Sequence, residues 1–519
     1  MGSSLWPVER YENKKVIPMI MMSFLICFNY TLLRDLKDVL VLGEMPTAVV
    51  PWLKFGLVLP SSVVVMLIYT KMSLRMSKEA IFYTFMSSFL AFFALYGLVL
   101  NPLRHYIEPG ASWTQKYTPV TADEINRALL NNKRIVGNMY SSFPKPLVPL
   151  MYMTAHWSTT LLYVMSELWG TVCISLLFWG YANDICVTSE AKRFYTLFNI
   201  GANFSLIFCG STLIYLGWAM DKDVANTPSA AGNDKTISIL MALVVLFGLI
   251  TMGIYRYMQT RVLTDPRLRP AESSGPKKAK VKMSFVDSLK TVFFNSYVLL
   301  IGVMVIVYGL AINFVEIYYK DCWSRLFTAK SHKYMFQGLF SIVNGTIALF
   351  LLICIGGKAI RTIGWTKTAL ITPITIISTG LPFMILYVVD KYSTAFPLAI
   401  LVWLGFITVA LSKAVKYSFF DPTKEMSFIP LGEARGRAKG AVDVVGARFG
   451  KSASSVLQIF LQTAFTTFQV SAYVEVLVVL LVVAVGVWTL GTVNLGKKYT
   501  ALTTEKTGDL ELNATVTKA

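Results

Sequence analysis

The chain has 519 residues, of which 55% are hydrophobic and 15% are charged, and its formal net charge is +19. Its apolar residues come in blocks of about 20, the length that a helix needs to cross a hydrocarbon core. This pattern excludes a soluble multidomain protein. It also excludes a transmembrane β-barrel, whose strands alternate polar and apolar residues in segments of about ten.

We predict an all-α membrane protein with about twelve transmembrane helices in two six-helix halves. In the first half, the apolar blocks place spans at 16–42, 48–70, 80–103, 148–183, 192–217 and 236–257. In the second half, they place spans at 292–319, 334–355, 366–389, 394–420, 438–468 and 470–494.

A polar, basic and proline-containing stretch divides the two sets of spans. A cytoplasmic loop in this position is typical of major-facilitator-like transporters, which bind substrate near the middle of the membrane. "FNYTLLRDLKD" in the first span resembles "INFVEIYYKDC" in the seventh, as expected if the halves are related. The predicted parts are an N-terminal bundle at 1–256, a linker at 257–290, a C-terminal bundle at 291–496 and a disordered tail at 497–519.

Lysine and arginine are concentrated in alternate loops, including the linker and the segments next to both termini. Because basic loops tend to stay in the cytoplasm, we expect both termini to be cytoplasmic. The six cysteines and three histidines are scattered, without the spacing of a disulfide framework or a zinc site. The sequence therefore predicts neither a metal nor a cofactor.

The first span contains four charged residues, Arg34, Asp35, Lys37 and Asp38, in "NYTLLRDLKDVLVL". A charge at the centre of a membrane helix costs about 2.5 to 3.5 kcal/mol on insertion scales, so it normally faces a partner or a wet cavity. Arg34 and Asp38 are spaced i, i+4 and could pair on one face. Lys37 has no opposite charge at that spacing, which makes it a candidate substrate contact. The alternative is a self-neutralising structural cluster.

Other spans carry charges that would also be costly in lipid. Several are cations, and unpaired cations in a central cavity favour an anionic substrate. The carboxylates could be structural partners of the lysines or gates that open with substrate, and these two interpretations are compatible. The residues are Glu167 in span 4, Glu316 in span 7, Lys413 and Lys416 in span 10, and Asp443, Arg448 and Lys451 in span 11.

"GARFGKS" in span 11 is close to a phosphate-binding loop but does not match it. That motif needs four residues between its glycines, and three separate Gly446 from Gly450. No strand precedes it, so the sequence disfavours a membrane ATPase, while Lys451 could still contact a phosphate group.

Five strings together resemble the nucleotide transporters, or ATP/ADP translocases, of plastids and of obligate intracellular bacteria such as chlamydiae and rickettsiae. They are "NYTLLRDLKDVLVL", "LLYVMSELWGTVCISLLFWGYAND", "AINFVEIYYK", "LSKAVKYSFFDPTKEMSFIPL" and "RAKGAVDVVGARFGKS". The resemblance covers nearly all the spans. It implies that four residues are tied to transport: Lys37, Glu167, Glu316 and Lys451.

Two departures from the family pattern are visible. Leu36 stands where the family often has threonine, and Arg448 adds a cation beside Lys451. The resemblance implies a carrier rather than an enzyme, with phosphate-binding and gating residues inside its spans. The expected phosphate ligands are Lys37, Lys451, Arg34 and Lys416, and the expected gating or charge-pair residues are Glu167, Glu316, Asp35 and Asp443.

The function implied is exchange of external ATP for internal ADP, with inorganic phosphate leaving alongside ADP. The alternative is a proton-coupled uptake carrier for nucleotides or another organic anion, with a glutamate as the proton site. The lipid bilayer is the only other partner expected; no nucleic acid is. A monomer would suffice, because one chain holds both halves. The polar start lacks a transit peptide, which favours a bacterial inner membrane over a plastid inner envelope.

Overall fold

The computed structural model describes residues 8–109, 148–226, 231–265, 267–268, 295–393, 396–467 and 469–516. Within these ranges, eleven helices are long and apolar enough to cross a membrane. A further long helix, α11, occupies the place of the predicted eleventh span. The helices are α1 Asn13–Glu44, α2 Val49–Met72, α3 Lys78–Ile107, α4 Trp157–Ile185, α5 Thr188–Asn226, α6 Lys235–Val262, α7 Ser296–Leu326, α8 Lys330–Cys354, α9 Thr362–Ser393, α10 Leu398–Leu431, α11 Arg435–Ala464 and α12 Val470–Leu502.

These bounds confirm the prediction of an all-α membrane protein with about twelve long helices. The fourth span differs in detail, because a separate helix at Val148–Ala155 precedes α4 and the backbone is non-helical at His156 (φ −112°, ψ 52°). Hydropathy is continuous across this break, so the sequence pattern could not reveal it. Most of the predicted linker, 269–290, lies outside the described residues. The backbone of the last helix continues to Val516, but the side chains after residue 502 lie outside the described residues. The predicted division into two bundles, a linker and a tail therefore stays a prediction.

Short π-helical segments lie within four of the spanning helices and at the ends of two more, α6 and α8. A π segment adds a residue to the turn and is often found at functional sites. The one in α4 begins three residues after Glu167, and the one in α10 begins at Lys416. The segments are Leu53–Val58, Tyr96–Leu100, Gly170–Phe178, Met258–Val262, Leu352–Gly356 and Lys416–Phe420.

The chain forms two compact units, and α1 is the central helix of the first. This unit comprises Met1–Lys277, Trp323–Leu349 and Thr466–Gln469. Helix α1 packs against α4, α5 and α6. Its buried side chains lie on every side of the helix, which is expected of a helix surrounded by others.

Ion pairs join the first turns of α1 and α5 at one end of this unit. The Arg193 guanidinium donates to both carboxylate oxygens of Glu12, at 2.9 and 2.6 Å. Lys15 Nζ lies 2.7 Å from Glu190 Oε2, and the Lys15 side chain is almost fully buried. Lys15, a basic residue near the N-terminus, therefore helps to hold α1 against α5.

The second unit comprises Lys278–Cys322, Phe350–Phe465 and Val470–Ala519. Its helix α9 packs against α10 and α12. On α7, the Tyr308 ring stacks on Phe420 of α10 at 5.0 Å between centroids and meets the edge of Trp488 of α12. This aromatic contact places α7 and α10 side by side, where both carry charged residues.

The exposed surface of the long helices is apolar, as expected for contact with lipid. Leu98, Leu67 and Leu490 are each about two-thirds exposed or more. Polar side chains, by contrast, are buried along α1 and α8, including Asn29 and Asn344. This inversion of the usual soluble pattern supports a membrane location.

We predict opposite effects on stability from two glycine substitutions. A Cβ atom at Gly97 would lie 2.6 Å from Met241 Cβ, whereas one at Gly253 would meet nothing within 4 Å. Gly97→Ala should therefore cost about 1–3 kcal/mol through overpacking of α3 against α6. Gly253→Ala should be neutral or stabilise by up to about 1 kcal/mol, because alanine is the better helix former. Melting temperatures of the detergent-purified proteins measure both changes; equal shifts would contradict the packing described.

Candidate functional site

Lys37 of α1 pairs with Glu167 of α4 inside the first unit. Lys37 Nζ lies 2.9 Å from Glu167 Oε1 and 3.0 Å from Asp38 Oδ1. The Lys37 side chain is only 3% exposed, while Glu167 is 27% exposed. The ammonium also lies 4.1 Å from the centroid of the Tyr163 ring, one turn before Glu167 on α4. Two predicted site residues are therefore brought together, with an aromatic face that the sequence analysis did not select.

Close contact between α1 and α4 sets the geometry of this pair. A Cβ atom at Gly170 would lie 2.6 Å from the Tyr30 ring, so glycine lets the two helices approach. The buried Trp169 indole donates a hydrogen bond to the carbonyl of Ile26 at 3.2 Å. Both contacts follow Glu167 by less than one turn, and they fix its carboxylate beside Lys37.

Arg34 and Asp35 form a second polar group on α1, and it reaches α8. Arg34 Nε donates to Asp35 Oδ1 at 2.9 Å, and Arg34 Nη2 donates to the Ser341 hydroxyl oxygen at 3.0 Å. The Ser341 hydroxyl in turn donates to Asp35 Oδ2 at 2.5 Å. Asp35 is buried and Arg34 is nearly so. Arg34, an expected phosphate ligand, is therefore engaged by protein groups in this conformation.

The second unit contains an interhelical pair between Glu316 of α7 and Lys413 of α10. Lys413 Nζ lies 3.1 Å from Glu316 Oε1, and both side chains are about four-fifths buried. Lys416, one turn further along α10, pairs with Asp421 at 2.7 Å. Its ammonium lies 4.4 Å from the ring centroid of Tyr417. Each predicted charge of this unit with a described side chain therefore has a protein counter-ion.

The two interhelical pairs correspond in position and differ in sign. In the first unit, the first helix supplies the lysine and the fourth supplies the glutamate. In the second half of the sequence, the first helix, α7, supplies the glutamate and the fourth, α10, supplies the lysine. Lys413 lies among the predicted charges of span 10 but not among the predicted site residues. Its position within an apolar span was the available signal.

The side chains of Asp443 and Lys451 lie outside the described residues. The backbone beside Lys451 is described: a Cβ atom at Gly450 would lie 2.8 Å from the carbonyl oxygen of Ile306 and 3.2 Å from Gly309 Cα. Helix α11 therefore approaches α7 backbone to backbone next to Lys451. The roles predicted for Asp443 and Lys451 stay predictions.

The paired lysines offer contacts that a small anion could take over. Among the described residues, no group of three or more His, Cys, Asp and Glu side chains is placed to hold a metal ion. Lys37 instead contacts the carboxylates of Glu167 and Asp38, and Lys413 contacts that of Glu316; the two glutamates keep partial exposure. A phosphate group offers the same charge and acceptor oxygens as such a carboxylate, so it can replace the carboxylate as the lysine's partner.

Comparison with known proteins identifies close relatives over the full chain. The family model described as "TLC ATP/ADP transporter" matches residues 1–127 and 124–499. "ADP,ATP carrier protein 1" of Chlamydia muridarum is 37% identical over 521 residues, covering 98% of this chain and 93% of the relative. "ADP,ATP carrier protein 1" of Rickettsia bellii is 36% identical over 513 residues, covering 96% of each chain.

Solved transporter structures share the fold at low sequence identity. The crystal structure of a D-xylose–proton symporter matches with a TM-score of 0.51 and 10% identity, covering 93% of this chain and 97% of the other. A bacterial homologue of the lysosomal transporter Spinster matches with a TM-score of 0.51 and 10% identity, covering 95% and 99%. These likenesses support the predicted major-facilitator-like architecture and carry no information on substrate.

We predict energetic coupling between Lys37 and Glu167. Lys37→Gln and Glu167→Gln should each lower the melting temperature, because each leaves a buried charge without its interhelical partner. The double variant should lose less than the sum of the two, with a coupling energy of about 1–3 kcal/mol.

The matched control is the pair Lys391 and Glu475 in the second unit, whose nitrogen and oxygen are 2.7 Å apart but whose glutamate is 40% exposed. Its coupling should be below about 1 kcal/mol, as for other exposed pairs. Additive losses for Lys37 and Glu167 would contradict the geometry described.

Proposed function

Because the chain belongs to the TLC ATP/ADP transporter family, we propose that it exchanges ATP for ADP across a membrane. The names of its relatives, "ADP,ATP carrier protein", support this substrate pair. The observation that carries the proposal is the pair of buried lysines, Lys37 and Lys413, each held by a glutamate of another helix. A carrier for a polyanion needs such cations in the membrane, together with a way to neutralise them when no substrate is bound.

Lys37 and Lys451 bind the phosphate groups in this proposal, and Arg34 and Lys416 add positive potential. Lysine suits this role because its ammonium acts on phosphate as a point charge, and arginine because its guanidinium can bind two oxygens at once. Lys413 joins this set as the counter-ion of Glu316. We assign the gating carboxylates to Glu167, Glu316, Asp35 and Asp443.

The ion pairs give a physical reason for exchange. In the empty carrier, Glu167 neutralises Lys37, and Glu316 neutralises Lys413. Substrate phosphate replaces the carboxylates and releases each pair, so the loaded carrier can rearrange. An empty carrier keeps both pairs and returns slowly, which makes inward and outward transport obligatorily linked. The rearrangement is alternating access of the two halves, as in other transporters with internal repeats.

Charge balance favours phosphate as a third substrate. ATP carries about one more negative charge than ADP, and moving one charge across ~100 mV costs about 2.3 kcal/mol. Import of ATP against export of ADP alone would be opposed by an inside-negative potential. Export of inorganic phosphate together with ADP removes most of this cost.

The proposed location is the inner membrane of a bacterium, with both termini in the cytoplasm. Eleven apolar helices and the bacterial relatives support a multi-pass membrane location. The basic segments at both ends of the chain support the orientation. One chain carries both sets of charged residues, so a monomer is the proposed functional unit.

We predict that purified protein in liposomes takes up labelled ATP only when the vesicles contain ADP. Uptake should be greatest with ADP plus phosphate inside, lower with ADP alone, and near background with buffer, because the empty carrier does not return. An imposed inside-negative potential should inhibit uptake with ADP alone more strongly than uptake with ADP plus phosphate.

Variants test the assigned residues in the same assay. Lys37→Gln and Lys451→Gln should abolish most uptake while still inserting into the membrane, whereas the surface control Lys391→Gln should transport normally. Equal uptake into buffer-filled vesicles, driven by a pH gradient, would overturn exchange in favour of proton-coupled uptake.

A further inference from the structure

Glu44, at the end of α1, is a buried carboxylate that binds groups from three other helices. Lys330 Nζ of α8 lies 3.0 Å from Glu44 Oε1, and Arg104 Nη2 of α3 lies 2.6 Å from the same oxygen. The Thr159 hydroxyl of α4 donates to Glu44 Oε2 at 2.9 Å. The Glu44 side chain is 7% exposed. None of these residues was singled out in the sequence, and none belongs to the site described above.

Neighbouring groups reinforce this end of the unit without involving α8. The Ser158 hydroxyl and backbone N–H donate to Glu108 Oε1 at 2.5 and 3.2 Å. His156 Nδ1 lies 3.4 Å from Glu108 Oε2 and 4.0 Å from Glu44 Oε2. Burial raises the pKa of the Glu108 carboxyl, but the His156 and Ser158 contacts outweigh burial, and the pKa lies below its usual value. These groups hold α3 and α4 together at the end of α1.

Helix α8 is attached to the same end by its first turn. Besides the pair of Lys330 with Glu44, Lys333 Nζ donates to the Leu42 carbonyl of α1 at 2.8 Å. Both lysines lie in the first turn of α8. This helix belongs to the second half of the sequence but packs in the first unit. Their contacts are therefore a tie between α8 and the first six helices.

The rest of α8 meets α5 along a seam of glycines. Gly210 and Gly338 face each other so closely that a Cβ atom at Gly338 would lie 2.5 Å from the Gly210 carbonyl oxygen. A Cβ at Gly217 would lie 2.8 Å from the Ser331 carbonyl oxygen, and one at Gly345 would lie 3.0 Å from the Asn203 carbonyl oxygen. At these positions the two backbones come into contact, and side chains such as Ile342, Met335 and Leu206 pack against the glycines.

We propose that Glu44 and Lys330 are positioning residues of the transport cycle. Their ion pair latches α8 onto α1 at the end of the helices away from the N-terminus, and it breaks and reforms as α8 parts from α1 and α5. This inference rests on the proposed function, because alternating access requires helices of the two sequence halves to separate. The Glu44–Lys330 latch acts through the position of α8 and does not touch the transported nucleotide.

The composition of the cluster explains how the latch can open at modest cost. When Lys330 leaves, Glu44 keeps the Arg104 guanidinium and the Thr159 hydroxyl, so it does not become an unpaired buried charge. Lys330 is already 20% exposed and moves to water, where its charge is solvated. Arg104 is thus the permanent partner of Glu44, and Lys330 is the partner that leaves. Removing Arg104 or Lys330 changes the charge of the cluster equally, but of these two only Lys330 belongs to α8 and ties it to Glu44.

The first test reads the latch directly, without nucleotide or transport. Gln337 is a buried residue of α8, two turns after Lys330. In Gln337→Cys protein, a water-soluble maleimide should label position 337 several-fold faster when Lys330→Gln is added, with labelling read by mass spectrometry of that peptide. Lys330→Arg should restore slow labelling. Arg104→Gln should leave labelling slow. Lys391→Gln, a substitution far from the latch, is a second control that should also leave labelling slow, and it replaces Arg104→Gln if that protein folds poorly.

Labelling that is unchanged by Lys330→Gln, or raised equally by Arg104→Gln, would overturn the latch. This outcome does not depend on nucleotide exchange, so it is distinguishable from a failure of the proposed function. If the wild-type protein exchanges no nucleotide, the proposed function fails while labelling still decides whether the latch exists.

The second test separates a positioning role from a merely structural one. If the latch holds α8 against α1, only a fraction of the carriers is open to nucleotide on the side away from the N-terminus. The apparent affinity for nucleotide is then reduced by that fraction. Lys330→Gln should therefore lower the KM for nucleotide offered from the side away from the N-terminus by about threefold or more, while also lowering the maximal rate. A structural defect alone would lower the maximal rate without lowering KM. Faster labelling with an unchanged KM would overturn the role in the cycle.

Discussion

A lysine ammonium in the hydrocarbon of a membrane needs a counter-charge, and the structure is organised around this requirement. Lys37 pairs with Glu167 of another helix, and Lys413 likewise pairs with Glu316. Leaving either lysine unpaired would cost several kcal/mol, whereas exchanging its carboxylate for a phosphate costs far less. The need for a counter-charge thus ties α1 to α4 and α7 to α10, and in the proposed cycle substrate phosphate replaces the carboxylate as the partner of the lysine.

Close packing of the helices positions the residues of these pairs. Gly170 lets α4 approach the Tyr30 ring of α1, and the Trp169 hydrogen bond to Ile26 fixes their register. In α4 and α10, a π-helical segment begins within one turn of the paired residue. The two pairs lie on corresponding helices of the two sequence halves. The lysine is on the first helix of one half and on the fourth helix of the other.

The sequence predicted much of the fold and part of the site. Hydropathy located the long helices because burial in lipid demands continuous apolar stretches, and charges within those stretches singled out Lys37, Glu167 and Glu316. Partners across helices were beyond its reach: Lys413 with Glu316, and Lys330 with Glu44, are far apart in the chain, and only tertiary packing brings them together. Glu44 and Arg104 also lie at helix ends, where hydropathy treats a charge as ordinary interfacial surface. The roles expected of Asp443 and Lys451 stay predictions.

The central claim is that the intramembrane lysine–glutamate pairs form the anion site. Equilibrium binding of labelled ATP to detergent-purified protein tests it most directly, using wild type, the Lys37→Gln/Glu167→Gln double variant and the Lys391→Gln/Glu475→Gln control. The double variant loses one positive and one negative charge together, and it should bind ATP at least about tenfold more weakly, a loss of about 1.4 kcal/mol or more. The control should bind like wild type. A folded double variant that binds ATP as tightly as wild type would contradict the account.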